Sequence, residues 1–308
     1  MVRIGTVELV GGGGEPVDFR RTLASHGVAS LAPNRLDEER WTLERTVAAG
    51  AGVWTVRVGQ VDATHAVIET PDPPRDPATA AELVGVATHL LRLDEDLSAF
   101  YAAAAKDPAL AWVTAGAGRM LRGEGVFEDV VKTICTTNCS WSATVRMTEA
   151  IVNGLGAPGA DGRRAFPTPA AMAEAGEAFY REVARAGYRA GALHRLATAV
   201  AEGRLDLERL RDPGLPDAEV ERRLLELPGV GPYAASHVML TSLGRYGRLV
   251  LDSWTRPTYA RLTGRPATDP AIERRFRRYR GYAGLAFWLF LTEGWVGPKA
   301  EAAEPRRE

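Results

Sequence analysis

Cysteine, lysine and net charge are the scarce commodities of this chain. Cys135 and Cys139 are its only cysteines in 308 residues, too few for a disulfide framework or a four-cysteine zinc or iron-sulfur site. Lying four apart with no other ligands nearby, they read as small buried residues rather than a metal site. Lysine is confined to Lys106, Lys132 and Lys299, which leaves amine nucleophilic catalysis few places to stand. The formal net charge of −1 lacks the basic signature of most nucleic-acid-binding domains, so any such site must be local. No apolar run approaches a membrane span, and the first residues lack a basic start followed by an apolar stretch and a small-residue cleavage site. The expectation is a cytoplasmic protein with no membrane partner. What is present, 45% hydrophobic and 25% charged residues, is ordinary for a folded soluble domain.

The first third carries the strand candidates. Trp41 to Val47, Val53 to Val58 and Ala63 to Thr70 are rich in Val, Thr and Trp, with Gly50 and Gly52 marking a turn. Prolines 71, 73, 74 and 77 then break the chain before a helix pattern over Pro77 to Leu91. From about Asp94 the pattern is helical, with Phe127 to Leu155 expected as one long helix and Gly154 to Arg164 as a loop. The expected fold is mostly α: a two-lobed helical core over 94–300 and a small N-terminal α/β cap, an antiparallel sheet plus a helix, over 1–93. Gly11 to Gly14 and a tail at 301–308 are expected to fray.

Two helix patterns within 217–243 flank Leu227-Pro228-Gly229-Val230-Gly231, a turn whose glycines admit backbone angles closed to other residues. Amides opening the second helix point outward with partial positive charge, so such a hairpin (Pro228, Gly229, Val230, Gly231) can hold a phosphate without a charged side chain. An ordinary αα-turn uses the same residues. Beyond it, the apolar approach Leu249-Val250-Leu251 leads to Asp252, which opens a new helix. Asp is a good N-cap, and an isolated one would be read as structural. Its position behind a glycine hairpin makes a catalytic carboxylate the alternative.

The hairpin followed by Asp252 resembles the helix-hairpin-helix superfamily of DNA glycosylases. The order of cap strands, the helix opening at Phe127-Glu128-Asp129, hairpin and Asp is similar to the bacterial alkyladenine and the 8-oxoguanine glycosylases, over most of the chain. The resemblance implies a base-excision repair enzyme acting on damaged double-stranded DNA at the nucleoid, as a monomer, with Asp252 as the catalytic residue. It implies no iron-sulfur cluster or other required cofactor, and is compatible with a monovalent cation on hairpin carbonyls. Bifunctional members carry a lysine two residues past the last hairpin glycine; here that place is Tyr233. The implied enzyme is therefore monofunctional and uses water.

Two branches compete within that resemblance. Tyr233 and, one turn on, His237 resemble the alkyladenine branch, with Tyr279 matching a third pocket aromatic; aromatic faces attract cationic alkylated purines. Core packing is the plain alternative for all three. Asn138, Tyr188 and Arg189 resemble instead the wedge and orphan-base contacts of the 8-oxoguanine branch, although Ala143 stands where a second arginine is expected there. A non-catalytic DNA-structure binder, or a hairpin used only for packing, also remains open. The arginines between Arg274 and Arg280 are either a solvated face or a phosphate-binding flank.

Overall fold

The protein is described by a computed structural model covering residues 1–296. Alternation of Val and Thr favours a half-buried sheet, and five strands form one, all antiparallel: β1 (Val2–Glu8), β2 (Asn34–Asp37), β3 (Thr42–Ala49), β4 (Gly52–Gln60) and β5 (His65–Thr70), in the order β1-β5-β4-β3-β2. A short helix α1 (Phe19–Leu23) precedes β2, and α2 (Pro77–Leu90) follows β5. Asp76 caps α2 by accepting from the amides of Ala78 and Thr79, with Pro77 in the first turn. Leu83, Ala87 and Leu90 of α2 then join Val47, Val56, Val58, Ala66 and Ile68 of the sheet in one core. Two strands more than the sequence suggested are present, and the glycine run is not frayed. Gly11 is buried and donates to the Glu15 carbonyl (2.9 Å), while Gly12 donates to that of Glu95 (2.9 Å), tying the cap to the start of the helical region.

The helical region comprises α3 (Ser98–Ala104), α4 (Val126–Thr136), α5 (Trp141–Leu155), α6 (Pro169–Glu174), α7 (Gly176–Ala178), α8 (Ala190–Ala201), α9 (Asp217–Leu225), α10 (Pro232–Thr241), α11 (Thr255–Thr263), α12 (Asp269–Phe276) and α13 (Ala283–Thr292). The long helix expected over 127–155 is split. Asn138 takes a positive φ of 46°, and Ser140 starts α5 afresh by accepting from the Ala143 amide (3.3 Å). Thr137, Asn138 and Ser140 all have side chains that compete for backbone partners, which interrupts the ladder. The tail expected at 301–308, and the last residues of the expected core, lie outside the described residues.

Two helical cores result. One gathers buried residues from Val126 to Met239; the other joins Leu97, Phe100 and Met120 to Tyr246, Phe276, Phe287 and Leu291. The chain thus crosses to its second lobe, builds the first, and returns. Helix α10 lies between them: Ala235 and Val238 pack in the first core, Leu240 in the second, and Tyr233 touches both.

Buried charge joins the cap to α4. Arg45 of β3, fully buried, donates to Asn34 Oδ1 (2.8 Å) and to both oxygens of Glu128 (3.0 and 2.5 Å). Lys132, one turn on, pairs with Glu128 (2.7 Å) and donates to the Leu31 carbonyl (3.1 Å). Burial pushes the Glu128 carboxyl up, yet Arg45 and Lys132 outweigh it and hold the group at about 2.

Candidate active site

The hairpin is anchored by its apolar residues. Leu227 and Val230 are buried in the first core, and the Val230 amide donates to the Leu227 carbonyl (3.1 Å). Gly229 has a φ of 82°, and a Cβ there would stand 2.9 Å from Ala192 Cβ, so both angle and space demand glycine. Gly231 is the N-cap of α10 and brings no capping side chain; a Cβ on it would meet nothing within 4 Å. The first turn of α10 consequently opens onto free space, with Pro228 half-buried and Pro232 exposed beside it. Amides so placed can receive an anion.

Val250, buried in the second core, seats the approach to Asp252. One oxygen of Asp252, Oδ1, accepts from the amides of Trp254 (2.8 Å) and Thr255 (2.7 Å), and the Asp252 amide donates to Thr255 Oγ1 (2.8 Å). That reciprocal cap fixes the carboxylate at the start of α11. Among the described residues no group hydrogen-bonds its other oxygen, Oδ2. The structural and chemical readings of Asp252 are therefore compatible, one oxygen holding the helix and the other left over.

An aromatic cluster stands next to it. The Tyr233 hydroxyl is 3.2 Å from Thr136 Oγ1, and its ring lies 5.8 Å from that of His237. His237 meets Trp288 of α13 (6.3 Å) and His26 of the cap (5.8 Å) edge to face, and Trp288 continues to Trp254 (5.7 Å). Behind these rings the cap supplies hydrogen-bond anchors: the Ser25 carbonyl accepts from Trp288 Nε1 (2.8 Å), and His26 Nε2 lies 2.6 Å from the Leu121 carbonyl. Burial lowers His237 to about 4, partly offset by Asp252, which also acts on Tyr233. Burial and the His237 charge lower His26 to about 3. Both rings are neutral at neutral pH. Trp288, Trp254 and His26 escaped the sequence reading because they come from three distant segments, and no spacing connects them.

Tyr279 does not belong to this cluster. It is buried in the second core, donates its hydroxyl to Asp107 Oδ2 (2.6 Å) and stacks on Phe276 (6.3 Å). The kink at Arg280 turns the chain, so helical spacing no longer predicts which way Tyr279 faces. Asn138, Tyr188 and Arg189 do meet. Tyr188, 69% exposed, has its hydroxyl 3.3 Å from Asn138 Nδ2, and the Arg189 guanidinium covers its ring at 4.4 Å. Arg189 itself is buried, however, with its guanidinium bonded to the Thr137 carbonyl and hydroxyl and to the Ala186 carbonyl (3.3 Å). A base contact by Arg189 would require giving these up. Cys135 is buried, and burial pushes its thiol up to about 12; Cys139, contrary to expectation, is exposed. Among the described residues no three His, Cys, Asp or Glu side chains group as metal ligands. A cleft of about 750 Å³ is lined by Pro232, Tyr233 and Ser236 of α10, by Leu249 and Leu251 of the approach to Asp252, and by Arg256 of α11; Asp252 itself is not in its lining.

The overall arrangement of N-terminal sheet and helical core recurs in solved structures. A 3-methyladenine DNA glycosylase from Archaeoglobus fulgidus superposes with a TM-score of 0.72 at 20% identity, over 96% of this chain and 99% of that one. The chain has the fold of the helix-hairpin-helix DNA glycosylases. An 8-oxoguanine glycosylase/lyase from Clostridium acetobutylicum gives 0.69 at 23% identity over 91% and 94% of the two chains, and its complex with double-stranded DNA gives 0.68. By sequence, a Bacillus subtilis protein provisionally named a DNA-3-methyladenine glycosylase is 27% identical over 169 residues, 53% of this chain and 58% of that relative's length. No family model matches the sequence.

Proposed function

We propose that this protein is a monofunctional DNA glycosylase that hydrolyses the N-glycosidic bond of an extruded, damaged purine, with alkylated purines as its main substrates. The observation that carries the proposal is Asp252, held by one oxygen at the start of α11 and close enough to Tyr233 and His237 to act on their ionisation. Cleavage of the bond from base to deoxyribose builds positive charge on the sugar. The second Asp252 oxygen would stabilise that cation and orient the attacking water, which gives its hydroxyl to the anomeric carbon and its proton to that carboxylate as the base leaves with the bonding electron pair.

The hairpin amides would grip the DNA backbone while the base leaves the stack, and Tyr188 is the exposed ring available to fill the gap. Tyr233, His237 and Trp288 would receive the base. With both buried histidines neutral, the cluster offers aromatic faces and no repelling cation to a positively charged methylated purine. Tyr233 supplies no amine where a lyase needs one, and Lys132 is locked to Glu128. A hard monovalent cation fits hairpin carbonyl oxygens, since Leu227 O accepts a single hydrogen bond and keeps a lone pair; no step depends on it.

The meeting of Asn138 with Tyr188 favours a second reading, an enzyme for oxidised guanine. Duplexes carrying an N-methylated purine or 8-oxoguanine, scored for base release before and after alkali, separate the two and report strand cutting together. Asp252→Asn is expected to slow release by about 10²–10⁴-fold while duplex affinity stays within a few-fold. A variant releasing base at the wild-type rate would refute the assignment.

A further inference from the structure

The run from Arg274 to Arg280 contains five arginines, and the structure treats them in two ways. Arg275 lies over the Phe290 ring at 4.4 Å, and Arg278 pairs with Asp107. Arg274, Arg277 and Arg280 are exposed instead, and among the described residues none of their side chains has a hydrogen-bond or ion-pair partner. All three line the cleft of about 750 Å³ that reaches Leu251. The other charges of that cleft largely cancel: Arg256 pairs with Asp269 (2.7 Å) and Arg248 with Glu221 (2.5 Å), leaving the three arginines against Glu273 alone. Arg280 also holds a backbone of φ 51°, ψ −121°, which only glycine adopts without strain, although Gly281 stands next to it.

We propose that Arg274, Arg277 and Arg280 form a second backbone-binding site, which takes the phosphates of the DNA strand that runs on from the hairpin. Three observations converge on a polyanion there. The cations are unpaired in a concave site, where a low-dielectric wall strengthens their field. Pro232, Tyr233 and Ser236 of α10 also line the cleft, so it reaches the first turn behind the hairpin. Leu251 brings the same cleft up to the residue before Asp252, which is not itself in its lining. A strand gripped at the hairpin and again at the arginines would be held at two points. The site rests on the glycosylase reading for its substrate. It also explains how a chain with a net charge of −1 binds DNA, by concentrating unpaired charge in one cleft.

The test uses the full chain with an undamaged duplex, reading affinity against sodium chloride concentration. Neutralising three phosphate contacts lowers the slope of log K on log salt by about one unit per arginine. The triple variant R274Q/R277Q/R280Q is expected to lose two to three units of slope, by that same rule of about one each, and R274K/R277K/R280K to recover most of them. An unchanged thermal midpoint in both keeps the comparison clean. Should wild type release base while the Gln variant retains the full slope, the second site is wrong and the glycosylase reading stands. Should no damaged duplex release base while the slope still falls with the charge, the cleft binds DNA and the catalytic reading fails. Equal slope loss in the Lys and Gln variants would show that shape, not charge, is at work, and would overturn the proposal.

Discussion

Two sets of charged side chains in this protein contrast, one enclosed within the fold and one standing in the cleft that reaches Leu251. Arg45, Glu128 and Lys132 are buried and pair with one another, and Arg189 spends its guanidinium on backbone carbonyls. The side chains of Arg274, Arg277 and Arg280 have no partner within the described fold. The enclosed set holds the architecture, because an unpaired buried charge is costly and the network leaves little unpaired. The cleft set contributes nothing evident to the fold and keeps its donors for something outside it. Satisfaction of donors, not position in a charge run, is what separates a structural arginine from a binding one.

That contrast is breakable at its strongest point. Glu128→Gln leaves Lys132 without its ion-pair partner and Arg45 with Glu124 alone, and a loss of about 3–5 kcal/mol is expected in chemical denaturation. The pH dependence carries a definite sign. The Glu128 carboxyl sits at about 2 in the fold against an ordinary 4.5, so its contribution is complete above 4.5 and disappears as pH falls through about 2. Burial raises Glu124 and Asp129, whose contributions run the opposite way. The difference between wild type and variant, rather than either curve alone, is therefore expected to shrink across that window.

Arg189→Met sharpens the contrast from the other side. It removes charge-assisted hydrogen bonds to the Thr137 and Ala186 carbonyls, and about 1.5–3 kcal/mol of stability is expected to go with them. The salt slope of DNA binding is expected to stay put, whereas for the cleft arginines the slope moves and stability does not. A slope that fell with Arg189 would mean that its guanidinium leaves the carbonyls for DNA. The smallest effect is expected at Arg280→Gly, which relieves an unfavourable backbone and removes one cleft cation. A thermal midpoint equal to or above wild type, by up to about 1 kcal/mol of stability, is expected together with a loss of about one unit of salt slope. A lower midpoint would mean that the Arg280 side chain supports the fold.

The parts of the fold legible in the sequence were those whose physics is local. Pro77 and the helix pattern behind it announced α2, and the glycines of Leu227-Pro228-Gly229-Val230-Gly231 announced the hairpin, because such signals are written within a few residues. Asp252 stood out through its apolar approach. Strand β1 was missed because Val2–Glu8 pairs with β5 across more than half the cap, and β2 because Asn34–Asp37 is a short edge strand with no alternation of its own. Tyr279 was misassigned because the backbone at Arg280 breaks the periodicity the assignment needed. Trp288 and His26 became visible only in three dimensions, where a residue from the cap and one from the last helix flank the same imidazole.

The crossing of the chain between lobes has an effect on timing. Residues 126–240 complete their core from one continuous stretch, hairpin included, whereas the core behind Asp252 needs Leu97 and Phe100 to find Phe287 and Leu291 at the far end of the chain. Long-range closure of that kind comes late. In a chain still leaving the ribosome, the hairpin thus has its packing before the start of α11, with Asp252, has a seat.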